Sequence, residues 1–209
     1  MQLYIRKTSI NPNRFKYKVN YDFFKHWNPR MAYILGFAFA DGNIYSLSLG
    51  WDLKNDIELL KKINKAMGSN YPIEKRKNSF RLRISNPVIL QDIQKLGVTP
   101  NKSKTCQLPA VPKIFFRDFI RGVLDGDGWV TIRKKKREIS IGFCSGSFKF
   151  LRDLIERLNE FLSLTINNLR IKKKTIKKGN LSVTYEIMWY AQNALKIIKF
   201  LYDDLVSNF

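Results

Sequence analysis

From residue 32 to residue 40 the chain is apolar almost without a break, Ala-Tyr-Ile-Leu-Gly-Phe-Ala-Phe-Ala, and then turns polar at Asp41-Gly42. This predicts a helix covered on most of its faces and ended by a glycine. Leu47, Leu49 and Trp51 then alternate with other residues, which predicts a strand with one covered face. A helical spacing follows from Asp56 to Met67, a hairpin from Ile73 to Ser85, and a further helical run from Pro87 to Leu96. Between residues 97 and 112 both periodicities fail among Pro100, Pro109, Pro112 and small polar residues, as in a linker.

The order then starts again. Asp118-Phe-Ile-Arg-Gly-Val-Leu-Asp-Gly-Asp-Gly128 matches the first helix segment, with Asp127 placed 86 residues after Asp41. Strands are predicted at Trp129 to Arg133 and Ile139 to Ser145, a helix at Phe148 to Leu162, strands near Leu169 to Lys174 and at Ser182 to Trp189, and a helix at Ala194 to Val206. Recurrence of a whole element order indicates duplication. The expected class is α+β, with two pseudo-symmetric αββαββα halves: residues 1–97, of which 1–26 form an extra N-terminal arm, a linker at 98–112, and residues 113–209.

Within the repeated helices small residues stand four apart, at Ala32, Gly36 and Ala40 and again at Gly122 and Gly126. Such faces let two helix backbones touch, so Gly36, Ala40, Gly122 and Gly126 are the candidate helix interface. Packing these faces together brings Asp41 and Asp127 side by side at the negative ends of two helix dipoles. Paired carboxylates there favour a hard divalent cation held through oxygen. A metal so held can activate water and stabilise an in-line displacement at phosphorus. One Asp-Gly after a helix is a common turn; two at matching positions select the site reading.

Charge narrows the partner. The chain has 38 Lys and Arg against 17 Asp and Glu, a formal net charge of +21, which attracts polyanions. Nucleic acid fits cations spread along the whole chain. A membrane does not, because there is no long apolar run, no apolar N-terminal segment and no single helix bearing the basic charge. The 44% hydrophobic and 13% aromatic content excludes disorder. Cys106 and Cys144 offer neither a disulfide framework nor a cysteine metal cluster, which fits a reducing compartment. His26, Trp27, Trp51, Trp129 and Trp189 are given no catalytic role, and the tryptophans read as core or interface.

The strands carry the cations in alternation. Arg81, Arg83 and Ser85 face away from the apolar residues of Phe80 to Ile84, and Arg170, Lys172 and Lys174 alternate around Ile171. A polar antiparallel sheet can lie in the major groove of double-stranded DNA, with arginine reading guanine. The candidate DNA contacts are Arg76, Arg81, Arg83, Ser85, Arg133, Lys135, Ser140, Arg170, Lys172, Lys174 and Thr184. Two sheets flanking a central point would cover roughly 20 bp, at about 10 bp per turn. The basic runs at 133–137 and 172–178 read equally as solvated hairpin tips that grip phosphate.

Ile34-Leu-Gly-Phe-Ala-Phe-Ala-Asp-Gly42 and Ile120-Arg-Gly-Val-Leu-Asp-Gly-Asp-Gly128 resemble the nine-residue LAGLIDADG signature, and the repeated element order extends the resemblance over nearly the whole chain. It implies a single-chain LAGLIDADG homing endonuclease with two motifs: saddle-shaped antiparallel sheets, a LAGLIDADG helix pair at the interface, and a double-strand break with short 3′ overhangs. The implied cofactor is Mg2+, or Mn2+, with Ca2+ supporting binding without cleavage. The eighth signature residue maps onto Asp41 and Asp127 as metal ligands, with backbone oxygens from Ala40, Gly42, Gly126 or Gly128. The family's lysine after the first half's last helix maps onto Lys102 or Lys104, and its polar residues ending the second strand onto Asn55 and Ser147. Phe39 departs from the signature, where Asp125 keeps an acid, as do Arg121 and a short first hairpin.

Two other functions use the same fold. One is an intron RNA maturase, whose partner is its host intron RNA. The other is a non-catalytic DNA-binding regulator, for which loss of a signature acid is expected. Retention of Asp41 and Asp127 favours the nuclease, expected as a monomer working inside the cell alongside the genome and away from membranes.

Overall fold

The structure is a computed structural model, and it describes residues 16–133, 135, 138–164, 170–175 and 181–206. Helix α1 (Pro29–Ala40) leads to strands β1 (Asn43–Tyr45) and β2 (Ser48–Leu53), helix α2 (Ile57–Ala66), strands β3 (Ile73–Lys75) and β4 (Phe80–Ile84), and helix α3 (Pro87–Lys95). The order repeats in α4 (Phe116–Asp127), β5 (Gly128–Arg133), β6 (Glu138–Ser145), α5 (Phe148–Leu162), β7 (Arg170–Thr175), β8 (Leu181–Tyr190) and α6 (Ala191–Val206). The strands form two separate antiparallel sheets of matching order, β1-β2-β4-β3 and β5-β6-β8-β7. The chain thus has the expected α+β fold.

Local chemistry starts the helices where the sequence pattern places them. Asn28, Asp56, Asn86 and Ser147 each accept a backbone N–H of the following first turn, and Pro29 and Pro87 stand at first-turn positions where no amide is needed. Strand β8 runs directly into α6 at Ala191, where φ is +46. The helix therefore begins three residues before the expected Ala194.

Each sheet buries one face. In the first, Trp51 pairs with Leu82 and Leu49 with Ile84; in the second, Ile141 pairs with Trp189 and Phe143 with Ile187. All eight are buried. The first hairpin differs from expectation at Leu47, which is 76% exposed in the two-residue turn Ser46–Leu47, where Ser46 has φ +46. Strand β1 has only three residues, half the length of β5, so the first hairpin is the short one.

Of the expected N-terminal arm, residues 1–15 lie outside the described residues. The rest joins the core: Val19, Phe23 and Phe24 are buried, and Asn20 N–H donates to Met67 O at 2.9 Å. Among the described residues, no helix is long and apolar enough to cross a membrane.

Candidate active site at the paired helix ends

Helices α1 and α4 run side by side in the same direction, and glycine is what lets them. A methyl group at Gly36 would strike the Phe119 carbonyl, one at Gly122 the Tyr33 carbonyl, and one at Gly126 the Ala40 side chain. Gly36, Ala40, Gly122 and Gly126 therefore all stand at the contact, and its progress along both helices brings their C-terminal ends together.

Asp41 caps α1, its N–H donating to Phe37 O at 2.9 Å, and Asp127 is the last residue of α4. Burial raises the Asp41 carboxyl above its ordinary value, with Lys102 opposing. Asp127 is pushed up to about 6, first by burial and then by the charge of Asp41, again opposed by Lys102. The two acids are close enough to repel and are short of positive charge.

Lys102 reaches them from the turn Lys102–Lys104 after α3. Its Nζ donates to Gly42 O at 2.7 Å and Ala40 O at 3.2 Å, and burial lowers its pKa. The turn is clamped from the second half. Gly146 has no side chain where the Ser103 carbonyl comes in, and Ser147 Oγ donates to Cys106 O at 2.7 Å.

Of the two candidate lysines, Lys102 is buried at the acids and Lys104 is exposed. The expectation for Ser147 needs correction: its hydroxyl is used in capping α5 and holding the Cys106 carbonyl, so it positions the lysine turn from one remove. Asn55 is likewise misplaced, since β2 ends at Leu53 and the chain turns away to α2 with Asn55 exposed. Of the backbone-oxygen candidates, Ala40 and Gly42 offer their carbonyls to Lys102, Gly126 lies against Ala40, and Gly128 lies against Leu124.

Sequence reasoning missed Cys144, whose Sγ donates to Asp127 O at 3.2 Å. The available signal was the alternation Ser140, Gly142, Cys144, which sets all three on the polar face of β6. Trp129, read as core or interface, lies half-buried over Gly142 on that same face. Trp51 and Trp189 are core, and Trp27 stacks on Phe115.

The polar faces hold most of the other candidates. Arg81 Nε donates to Asp52 at 2.9 Å, while Arg83 lies over the Tyr45 ring at 4.4 Å. Arg76 pairs with Glu74 at 2.5 Å and Arg133 with Glu138 at 3.5 Å, all exposed, as are Ser85 and Lys135. Register aligns Thr131, Ser140 and Tyr190 in one row and Thr184 with Lys172 in another. The side chains of Arg170, Lys172 and Lys174 lie outside the described residues.

Two carboxylates that repel each other, with one lysine to offset them, are a fitting donor set for Mg2+. It takes one or two carboxylates and completes its shell with water and phosphate oxygens. Among the described residues no cluster of three or more His, Cys, Asp or Glu side chains is set to hold a metal.

Residues 115–199 match the family model of the LAGLIDADG-like domain. The fold resembles that of the LAGLIDADG meganuclease I-AabMI bound to uncleaved DNA, with a TM-score of 0.54 and 12% identity over 85% of this chain and 84% of that one. It also resembles the homing endonuclease I-WcaI bound to its DNA recognition sequence, with a TM-score of 0.50 and 16% identity over 87% and 84% of the two chains. The N-terminal LAGLIDADG domain of DUF199/WhiA matches with a TM-score of 0.48 and 15% identity over 83% and 79%. No curated protein matches the sequence.

Proposed function

We propose that this chain, whose second half carries a LAGLIDADG-like domain, is a site-specific DNA endonuclease that makes a magnesium-dependent double-strand break at a long target. The observation that carries this reading is the meeting of Asp41, Asp127 and Lys102 at the ends of two helices packed backbone to backbone. Two DNA-bound nucleases of the same fold support the choice of substrate.

Asp41 and Asp127 would hold the cation. When bound, Mg2+ supplies a lower pKa for coordinated water and charge stabilisation at phosphorus. The chain's own residues do the rest. The glycine contacts of α1 and α4 fix the spacing of the carboxylates, Lys102 places an ammonium beside them without later reorganisation, and the two sheets carry the cations that hold the duplex. In each strand one water adds to phosphorus, the P–O3′ bond breaks, and one water proton ends on the 3′ oxygen. The products are a 5′ phosphate and a 3′ hydroxyl.

The test is incubation of the full-length protein with a randomised duplex library and Mg2+, followed by sequencing of the ends. Defined ends with short 3′ overhangs and a long flanking preference support the reading. Binding without ends in Mg2+ or Mn2+ would falsify it and leave the regulator or the maturase.

A further inference from the structure

Duplication makes the two sheets comparable position by position, and their polar faces do not match. Asn43 and Trp129 each stand two residues after a signature acid, Asp41 and Asp127. Asn43 pairs with Gly50, and Gly50 with Arg83; Trp129 pairs with Gly142, and Gly142 with Met188. The first row therefore ends on a guanidinium held over the Tyr45 ring at 4.4 Å. The second ends on a thioether, with the Trp129 ring lying across the glycine. In the next row of the second sheet Thr131 pairs with Ser140, and Ser140 with Tyr190. Small side chains set among larger ones leave a hollow, and a cavity of about 260 Å3 opens there, between Met188 and Tyr190 on β8 and the ion pair of Arg133 with Glu138.

We infer that this cavity reads a thymine through its 5-methyl group, with Met188 as the specificity-determining residue. This rests on the reading of the chain as a site-specific DNA-binding protein, and not on its cleaving the site. A chain of net charge +21 already has cations for phosphate, and a thioether, a phenol ring and a threonine methyl add nothing to that attraction. In the major groove thymine alone of the four bases presents a methyl group, beside the O4 acceptor. The carbons of Met188, Tyr190 and Thr131 offer that methyl a surface away from water, and the Ser140 hydroxyl in the same cavity is a donor for O4. Cytosine offers neither group, since its edge lacks the methyl and carries an amino donor in place of the oxygen. An unbranched thioether adapts to the methyl without a fixed shape of its own. At the duplicate position of the first sheet, Arg83 has the paired donors that suit guanine, so one register position carries opposite chemistry in the two halves.

The experiment measures binding in EDTA, with the full-length protein and a duplex recovered from a randomised library by affinity. Each thymine of the recovered site is replaced in turn by deoxyuridine, which removes the methyl group and nothing else. One such replacement should weaken binding about fivefold, the effect of leaving one methyl without its apolar contact, and 5-methylcytosine at that position should bind more tightly than cytosine. Met188→Ala should abolish the dependence on that methyl and leave the response to every other replacement unchanged, while Met188→Leu, of similar volume, keeps most of it. Circular dichroism melting shows whether the Ala variant is folded; if it is not, Met188→Gln, which keeps the length and loses the apolar end, takes its place. A site in which no thymine responds to loss of its methyl overturns the inference while leaving DNA recognition intact, as does a methyl dependence that persists in folded Met188→Ala. A library from which the wild-type protein recovers no defined duplex overturns the site-specific reading itself, and this inference with it.

Discussion

Tyr33 Oη donates to Asp125 Oδ2 at 2.6 Å across the helix pair, at the place where the duplication sets Phe39 edge-on to Phe119, 5.7 Å between ring centres, on the opposite side. Each side thus ties α1 to α4 by one contact of the same geometry and different chemistry. Burial raises the Tyr33 phenol, with Asp125 adding to the effect, so the group remains a donor through the working pH range. Tyr33→Phe should cost about 1 kcal/mol, the usual net worth of such a hydrogen bond, read from urea denaturation. The double variant Tyr33→Phe with Asp125→Phe should recover part of it by repeating the ring contact. An unchanged denaturation midpoint in Tyr33→Phe would show that the bond adds nothing.

Gly122 faces the Tyr33 carbonyl and the Phe37 amide, backbone that cannot swing aside as a side chain end can. Gly122→Val must push α4 away from α1 and separate the carboxylates beyond it. The expected result is a loss of about 3 kcal/mol or more, in the range of severe overpacking, together with loss of cleavage. A wild-type melting temperature with full activity would contradict the close contact.

Asp41→Asn and Asp127→Asn each keep the size of the side chain and remove its charge. If the carboxylates ligate the metal, each variant loses double-strand cleavage while gel shifts show the wild-type affinity for DNA. Unaltered cleavage in either variant removes that acid from the site.

The face of the first sheet yields a prediction about reading DNA. Arg83 is held over Tyr45, aimed by a ring, while Arg81 is neutralised by Asp52. Arg83→Gln should weaken binding by about 1–3 kcal/mol and relax the preference at one base position, as loss of a base-reading arginine does. Asp52→Asn should free Arg81 and steepen the salt dependence of binding. Equal weakening on every sequence would make Arg83 a phosphate contact only.

Much of this was legible because it is periodic. The apolar run before Asp41, its repeat before Asp127, and the small residues four apart carried the helix pair, the acids and the contact between them. What escaped lies in chain reversals, which have no period. Asn55 and Ser147 were placed by their distance along a strand, yet the chain leaves the site before Asn55, and Ser147 is spent on a helix cap. Lys102 and Lys104 could not be separated until the turn containing them was seen docked on Gly146. Cys144 was dismissed as a cysteine without a partner cysteine, although alternation along β6 already set it on the polar face.

The Asp127 carboxyl connects stability, pH and metal. In the folded chain it holds its proton up to about pH 6, against an ordinary 3.8, so folding takes up a proton between those values. The stability this proton carries is present below pH 3.8 and is lost as the pH rises through about 6. At neutral pH the half-buried carboxylate opposes folding by about 3 kcal/mol at most. Metal-free Asp127→Asn should therefore be more stable than the wild-type protein at pH 7, with the difference closing toward pH 4. Magnesium should reverse the order, raising the wild-type melting temperature at pH 7 more than that of Asp127→Asn. Cleavage should fall below about pH 6 as the carboxyl is protonated, and added Mg2+ should move that fall to lower pH by competing with the proton. Parallel stability profiles for the two proteins from pH 4 to 7 would mean that Asp127 sits in water rather than in the dry end of the helix pair.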